Sequence, residues 1–251
     1  MEDFVHLHVH TQYSLLDGQA SISRLVDKAI ANGMRGMAVT DHGNMFGIKE
    51  YFDYCAKVNG KRKKEGLEPF KPIFGCEMYV ARRGDKSLRE GKVDQSGWHL
   101  VVLAKNEVGY KNLIKLVSRS WVDGYYMRPR TDHKDLEQFH EGLIISSACL
   151  GGEIPKKIMS GDIEGARQAI NWFKGIWGED YYLEVQRHQV KDPRQRANRE
   201  VYPLQQKVNA IVLELAQELG VKVIATNDSH FVDEENAEAH DHLLAFQQTK
   251  T

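Results

Sequence analysis

Three histidines alternate with apolar residues in the first ten positions: His6, His8 and His10, with Val5, Leu7 and Val9 around them. Side chains of a strand change face at every residue, so this spacing predicts a strand over Phe4–His10 with all three imidazoles on one side. An imidazole facing a sheet interior is costly to desolvate without a partner. Neutral imidazole is the commonest metal ligand, and a metal is the simplest reason to gather several. Taken singly, a strand histidine is more often packed or solvated than a ligand. His6, deeper in the segment, reads as a packed and hydrogen-bonded residue.

What favours a metal is the recurrence of similar groups farther along the chain. Active groups of parallel α/β folds gather at the carboxyl ends of the strands. Those ends supply His8, His10 and then Asp17, Thr40-Asp41-His42-Gly43, Glu77, Ser146-Ser147-Ala148-Cys149, and Thr226-Asn227-Asp228-Ser229-His230. His99 stands at the start of its expected strand and fits this rule least well. So many imidazoles, carboxylates and a thiol exceed the needs of one tetrahedral ion and suit a cluster of two or three divalent metals. Zinc fits best, with manganese and iron as alternatives, and Glu77 is the natural bridging carboxylate. Such a cluster holds a phosphate and lowers the pKa of a bound water, which makes phosphoester hydrolysis the expected reaction class. Asp41 also has a plainer reading, orienting an imidazole. Asp17-Gly18 is a normal turn pair, and a lone Cys149 is a normal small buried residue. His133, His140, His240 and His242 fall on expected helix or loop surface and read as solvated.

The elements that must position these groups follow from the apolar patterning. Strands are expected at Gly36–Thr40, Ile73–Val80, Leu100–Ala104, Leu143–Ser146, Tyr181–Val185 and Val221–Thr226. Helices are expected at Ile22–Ala31, Ile48–Asn59, Tyr110–Ser118, Ile163–Trp177, Val201–Leu219 and Ala237–Phe246. Asp162 caps one helix start and Gly220 one helix end. Repeated β–α alternation with apolar strands predicts an α/β fold with a mostly parallel sheet or barrel covered by helices. Loops or insertions are expected at Lys61–Lys71, Arg82–Gly97 and His188–Asn198.

The 251 residues are enough for one sizeable domain, and 41% hydrophobic with 27% charged residues is ordinary for a globular protein. A net charge of −1 gives no global signal for nucleic acid or membrane, although Lys61-Arg62-Lys63-Lys64 forms a local basic run. Three cysteines without CxxC spacing argue against a disulfide framework. With no secretory or membrane-spanning run, the expected location is cytoplasmic and no membrane partner is expected.

Together these residues resemble the PHP (polymerase and histidinol phosphatase) family. More narrowly, residues 4–18, from Phe4-Val5-His6-Leu7-His8 to Asp17-Gly18, are similar to the branch found in bacterial DNA polymerase III alpha subunits. So are Gly109-Tyr110-Lys111-Asn112-Leu113, Gly124-Tyr125-Tyr126-Met127-Arg128-Pro129-Arg130, Cys149-Leu150-Gly151-Gly152-Glu153-Ile154-Pro155 and Ala225-Thr226-Asn227-Asp228. The resemblance implies a distorted (β/α)7 barrel with a trinuclear metal centre. Its ligand positions carry over to His8, His10, Asp17, His42, Glu77, His99, Cys149, Asp228 and His230, Asp17 and Cys149 standing where other branches use histidine. It implies that residues 1–251 are a PHP domain excised from the N-terminus of a much longer polymerase, with the remaining polymerase domains and DNA as partners and a separate proofreading subunit as a further one.

The function expected on this basis is metal-dependent phosphoester hydrolysis: 3′-5′ exonuclease action on DNA by attack of metal-activated water. Asp41 and His188 are the expected catalytic side chains. Arg82, Arg83, Arg128 and Arg130 are candidates for holding the DNA backbone. The alternative is a catalytically silent module that stabilises the polymerase and docks the proofreading subunit, its metals contributing folding energy. A free-standing histidinol-phosphate-type phosphatase is a third reading, disfavoured by the alpha-subunit signatures.

Overall fold

The computed structural model describes residues 4–15 and 17–248. Leu16 of the opening motif lies outside them. The chain divides into two compact units, one from its two ends (residues 1–76 and 228–251), the other from residues 77–227.

In the first unit, helix α1 (Ile22–Ala31) and helix α2 (Ile48–Lys64) accompany strand β1 (Gly36–Val39). β1 pairs in parallel with the opening half of β2 (Lys71–Ala81), in the register Gly36↔Lys71 to Val39↔Phe74. α1 has the expected bounds, with Ile22, Leu25, Val26 and Ala29 buried at helical spacing. α2 runs five residues past its expected end, because the basic run of residues 61–64 forms its last turn and complements the helix dipole there. Helix α8 (Ala237–Gln248) closes this unit.

The expected first strand is corrected. Residues 4–10 form isolated bridges, His6 with Met37 and Val9 with Ser229. The chain bends at His8, and its backbone groups alternate between two neighbours. Ala38 and Thr40 donate to the carbonyls of His6 and Val9, whereas His10 donates to the carbonyl of Ser229. Thr40 also accepts the Val9 N–H on its hydroxyl at 2.9 Å, clamping the residue between His8 and His10.

The second unit holds the rest of β2 and strands β3 (Gly97–Ala104), β4 (Arg130–Thr131), β5 (Leu143–Ser146), β6 (Tyr181–Gln186) and β7 (Lys222–Thr226). β5, β6 and β7 are parallel neighbours, whereas β3 runs antiparallel to β5 with Val101 opposite Ser146. Helices α3 (Glu107–Val122), α4 (His133–Gln138), α5 (Glu153–Met159), α6 (Ile163–Trp177) and α7 (Tyr202–Leu219) belong to the same unit. Asp162 caps α6 by accepting the Gly165 N–H, and Gly220 ends α7 in the left-handed conformation at φ 61°. α4 and α5 escape sequence patterning because each is only about two turns long. Among the described residues no helix is long and apolar enough to cross a membrane.

The insertion at Arg82–Gly97 is tied down by buried charge. Lys86 pairs with Asp135, to which Arg119 Nε also donates at 3.0 Å. Burial pushes the Asp135 carboxyl up, but Arg119 and Lys86 hold it below its ordinary value overall. A depressed folded-state value stabilises the protein fully above the unfolded value of about 4, and the contribution is lost as pH falls through the folded value. Asp135→Ala leaves Lys86 buried without this partner and is expected to cost about 3–5 kcal/mol at neutral pH. Urea denaturation at pH 7 and pH 3 checks this, since the gap between wild type and variant must shrink at the lower pH.

Candidate metal centre

In the first unit the donors come from three short segments. His8 and His10 lie on the segment clamped by Thr40, and Asp17 sits in the turn after it. His42 follows β1, and Asp228 and His230 follow β7. The turn of Asp17 closes through Gly18, whose N–H donates to the Ser14 carbonyl at 2.7 Å. A Cβ at Gly18 would stand 1.8 Å from the Thr11 carbonyl oxygen, so only glycine fits there.

His8 and His10 are fully buried. Their Nε2 atoms lie 3.2 and 3.1 Å from the same Asp228 oxygen. The His230 ring stacks on His10 at 4.2 Å, and His42 lies 4.1 Å from His10 on centroids. Two trios, His8/His10/Asp228 and His10/His42/His230, each bring their ligand atoms within 4.8 Å of one another. Asp17 meets His42 Nε2 at 3.0 Å through one oxygen, and its buried Oδ1 has no hydrogen-bond partner among the described residues. Burial pushes the Asp228 carboxyl up, whereas positive charge on His8, His230 and His10 would hold it far below its ordinary value.

The hydrogen-bond chain beneath these groups fixes their chemistry. Asp41 Oδ1 accepts from Thr11 N at 2.7 Å and Ser14 Oγ at 2.8 Å, and Oδ2 accepts from Thr11 Oγ1 at 2.9 Å. Burial still raises this carboxyl above its ordinary value. Ser14 has a single hydroxyl proton, given to Asp41, so toward His10 Nδ1 at 2.8 Å it acts as acceptor. His10 therefore carries its proton on Nδ1 and aims the Nε2 lone pair at Asp228. A lone pair and a carboxylate 3.1 Å apart repel unless a proton or a cation stands with them. The mixed nitrogen and carboxylate donors thus fit a divalent first-row metal.

The second unit carries its own smaller set. Glu77 on β2 is buried and meets His99 Nδ1 at 2.9 Å. Cys149 Sγ lies 3.7 Å from Glu77 Oε1 and 3.5 Å from His99 Nδ1, and receives the Gly151 N–H at 3.4 Å. The antiparallel run of β3 explains why His99 broke the strand-end rule: the start of β3 lies beside the end of β5, where Cys149 follows. The strand also begins three residues earlier than expected, so His99 lies inside it. A Cβ at Gly151 would meet His99 Nδ1 at 2.8 Å, so the bare glycine lets this loop close on the ring.

The remaining expected site residues are placed as follows. His188 follows β6, and its Nε2 bonds the Asn227 carbonyl at 2.6 Å while its backbone N–H donates to Gln205. His6 packs edge-on against Phe4. His133 stacks on Trp172 at 3.9 Å, and His240 is half-buried 5.6 Å from His230, so the solvated reading of these two is corrected. Arg130 is buried and donates to the carbonyls of Gly124, Leu88 and Lys86, which removes it from the DNA-contact candidates. The sequence reading missed Ser14, four residues after His10 in a tight turn. It also missed Glu184, a buried carboxylate bonded by Ser146, Gln186 and Thr226 that ties β5, β6 and β7 together.

This fold and donor set agree with a comparison by sequence: the PHP domain profile matches residues 6–188, and the chain belongs to that family. Among individual proteins it is similar to DNA polymerase III subunit alpha of Borreliella burgdorferi, 44% identical over 96% of this chain, and of Treponema pallidum, 39% identical over 96%. The chain spans only 19% of the length of each. By structure it superposes on an amidohydrolase from Chromobacterium violaceum with bound sulfate and no metal, at TM-score 0.54 and 12% identity, covering 95% of this chain and 96% of the other. A histidinol phosphate phosphatase from Lactococcus lactis, complexed with zinc, L-histidinol and phosphate, matches at TM-score 0.46 and 14% identity, covering 96% and 92%.

Ser14→Ala and Asp41→Asn remove the support of His10 without touching a ligand. Each is expected to weaken zinc or manganese affinity about 10–100-fold with the circular dichroism spectrum unchanged, as loss of such supports typically does. Titration of the metal-free protein by calorimetry reads this directly.

Proposed function

We propose that this PHP domain is a metal-dependent phosphoesterase that shortens DNA from the 3′ end, working within a DNA polymerase III alpha subunit. The observation that carries the reading is the pair of donor trios sharing His10, each with its ligand atoms within 4.8 Å. Divalent ions bound there, zinc first and manganese or iron as alternatives, would supply Lewis acidity that lowers the pKa of water and neutralises phosphate charge. His8, His10, Asp17, His42, Asp228 and His230 are the holding residues of the first unit, and Glu77, His99 and Cys149 those of the second. In the hydrolysis the water oxygen joins phosphorus, the bond from phosphorus to the 3′ oxygen breaks, and the proton leaves on the departing alcohol.

The chain's own residues prepare this reaction by orientation. Asp41, expected as a catalytic side chain, acts in this reading through Ser14 on His10, because both its oxygens already accept from Thr11 and Ser14. His188 serves as a positioning residue that holds the Asn227 carbonyl. Burial of His8 and His10 excludes bulk water from their imidazoles.

A second reading, a docking module for other polymerase domains or a proofreading subunit, draws support from one surface. Trp121 stacks on Tyr125 at 5.6 Å, and Val122 and Met127 nearby are 80% and 62% exposed. Such large apolar side chains together on a surface mark an interface.

End-labelled single-stranded and primer-template DNA, incubated with the protein and zinc or manganese, distinguishes the two. Nuclease action predicts shortening from the 3′ end that falls at least about 100-fold in His8→Ala/His10→Ala. Bound metal with no shortening assigns the domain to docking.

A further inference from the structure

We propose that Arg128 and Arg82 contact the phosphate backbone of single-stranded DNA beside the Glu77, His99 and Cys149 donors of the second unit. The inference rests on the nuclease reading and names residues that hold its substrate.

Of four arginines near the ends of β2 and β4, two are committed elsewhere. Arg130 is buried on three carbonyls, and Arg83 pairs with Asp94 at 2.5 Å and Glu90 at 2.9 Å. Arg82 and Arg128 are exposed, and neither has a carboxylate partner among the described residues. Each lies over an aromatic ring instead: Arg82 4.8 Å from the centre of Trp98, Arg128 6.0 Å from that of Tyr79. A stacked guanidinium without a counter-ion keeps its planar fork of donors for an incoming phosphate.

Each ring stands on a strand that also carries a donor. Tyr79 is buried and meets the His99 ring edge-on at 5.3 Å, and Trp98 is its neighbour in the chain. The rings beneath the arginines are therefore carried by strands β2 and β3, which also carry the donors Glu77 and His99.

The loop of Arg128 is prebuilt. Tyr126 N–H donates to the Arg128 carbonyl at 3.1 Å, and Arg130 closes the loop through its backbone N–H and Nε on the Gly124 carbonyl. A Cβ at Gly124 would stand 1.9 Å from the Arg130 carbonyl oxygen, so glycine is required for this closure. The same guanidinium ties the loop to residues 86 and 88. Met127 takes a left-handed φ of 62° at the tip, with Tyr125 exposed beside it. A loop held this firmly binds with little ordering cost.

The ligand class follows from the pairing of cations with rings. Two exposed guanidiniums on separate rings suit a ligand with more than one phosphate, which a phosphomonoester does not offer. Tyr125, exposed at the loop, adds an aromatic face of the kind on which unpaired bases stack.

The test is fluorescence anisotropy of a labelled twenty-nucleotide oligothymidylate with the whole chain in EDTA, so that binding is read without turnover. Arg82→Ala and Arg128→Ala are each expected to raise Kd about 3–10-fold and to lower the salt slope by about 0.7. Arg83→Ala removes the same charge from a committed site and is expected to change Kd less than about 2-fold. An equal loss for Arg83→Ala, or unchanged binding for Arg82→Ala and Arg128→Ala with circular dichroism intact, overturns the proposal. A polyglutamate peptide that displaces the oligonucleotide at equal concentration also overturns it, in favour of an acidic protein partner. Hydrolysis of bis(p-nitrophenyl) phosphate with manganese separates the two levels: an inert wild type refutes the nuclease reading alone, while anisotropy still decides on the arginines.

Discussion

A hydroxyl has one proton to give, and at Ser14 that limit organises the donors of the first unit. The proton goes to Asp41, so the same oxygen must accept from His10 Nδ1 and from the backbone N–H of His42 at 3.1 Å. One side chain thereby sets the tautomer of one imidazole and the position of a second. Thr11 gives Asp41 both a backbone and a hydroxyl donor, and Asn44 bridges the carbonyls of Tyr13 and His42. The loops bearing Asp17 and His42 are thus joined by polar contacts below the donors, before any ion is considered.

The two units offer different ligand chemistry. Imidazole and carboxylate in the first suit several first-row ions. The thiol of Cys149 beside His99 and Glu77 in the second favours softer ones, zinc above manganese. Local backbone sets each group: Thr40 locks Val9 between His8 and His10, and the left-handed Ala148, φ 60°, turns the chain immediately before Cys149.

Much of this was legible in the sequence, and what was not has physical causes. α1, α6 and β5 have their expected bounds because their apolar periodicity is strong and their ends are punctuated. Of the three imidazoles expected on one side, the structure brings His8 and His10 together and packs His6 against Phe4, because the segment is no regular strand and two different neighbours share its backbone. His99 looked misplaced because strand direction is a tertiary property, unreadable from an apolar run. Ser14 was hidden because a serine in a turn is too common to signal anything. Arg130 looked like a surface cation because a sequence window cannot reveal carbonyls contributed by residues 86 and 88.

Asp228 adopts φ 48°, in the left-handed region that aspartate and asparagine visit far more readily than bulkier residues. Its carboxylate therefore cannot be moved onto the longer side chain of glutamate without backbone strain, whatever the ion would accept. Asp17 carries no such mark, since the positive-φ residues other than glycine among those described are Met127, Ala148 and Asp228. A longer carboxylate is thus open at one aspartate and strained at the other. In the history of such a site, the handedness of a single peptide unit restricts which ligands can drift.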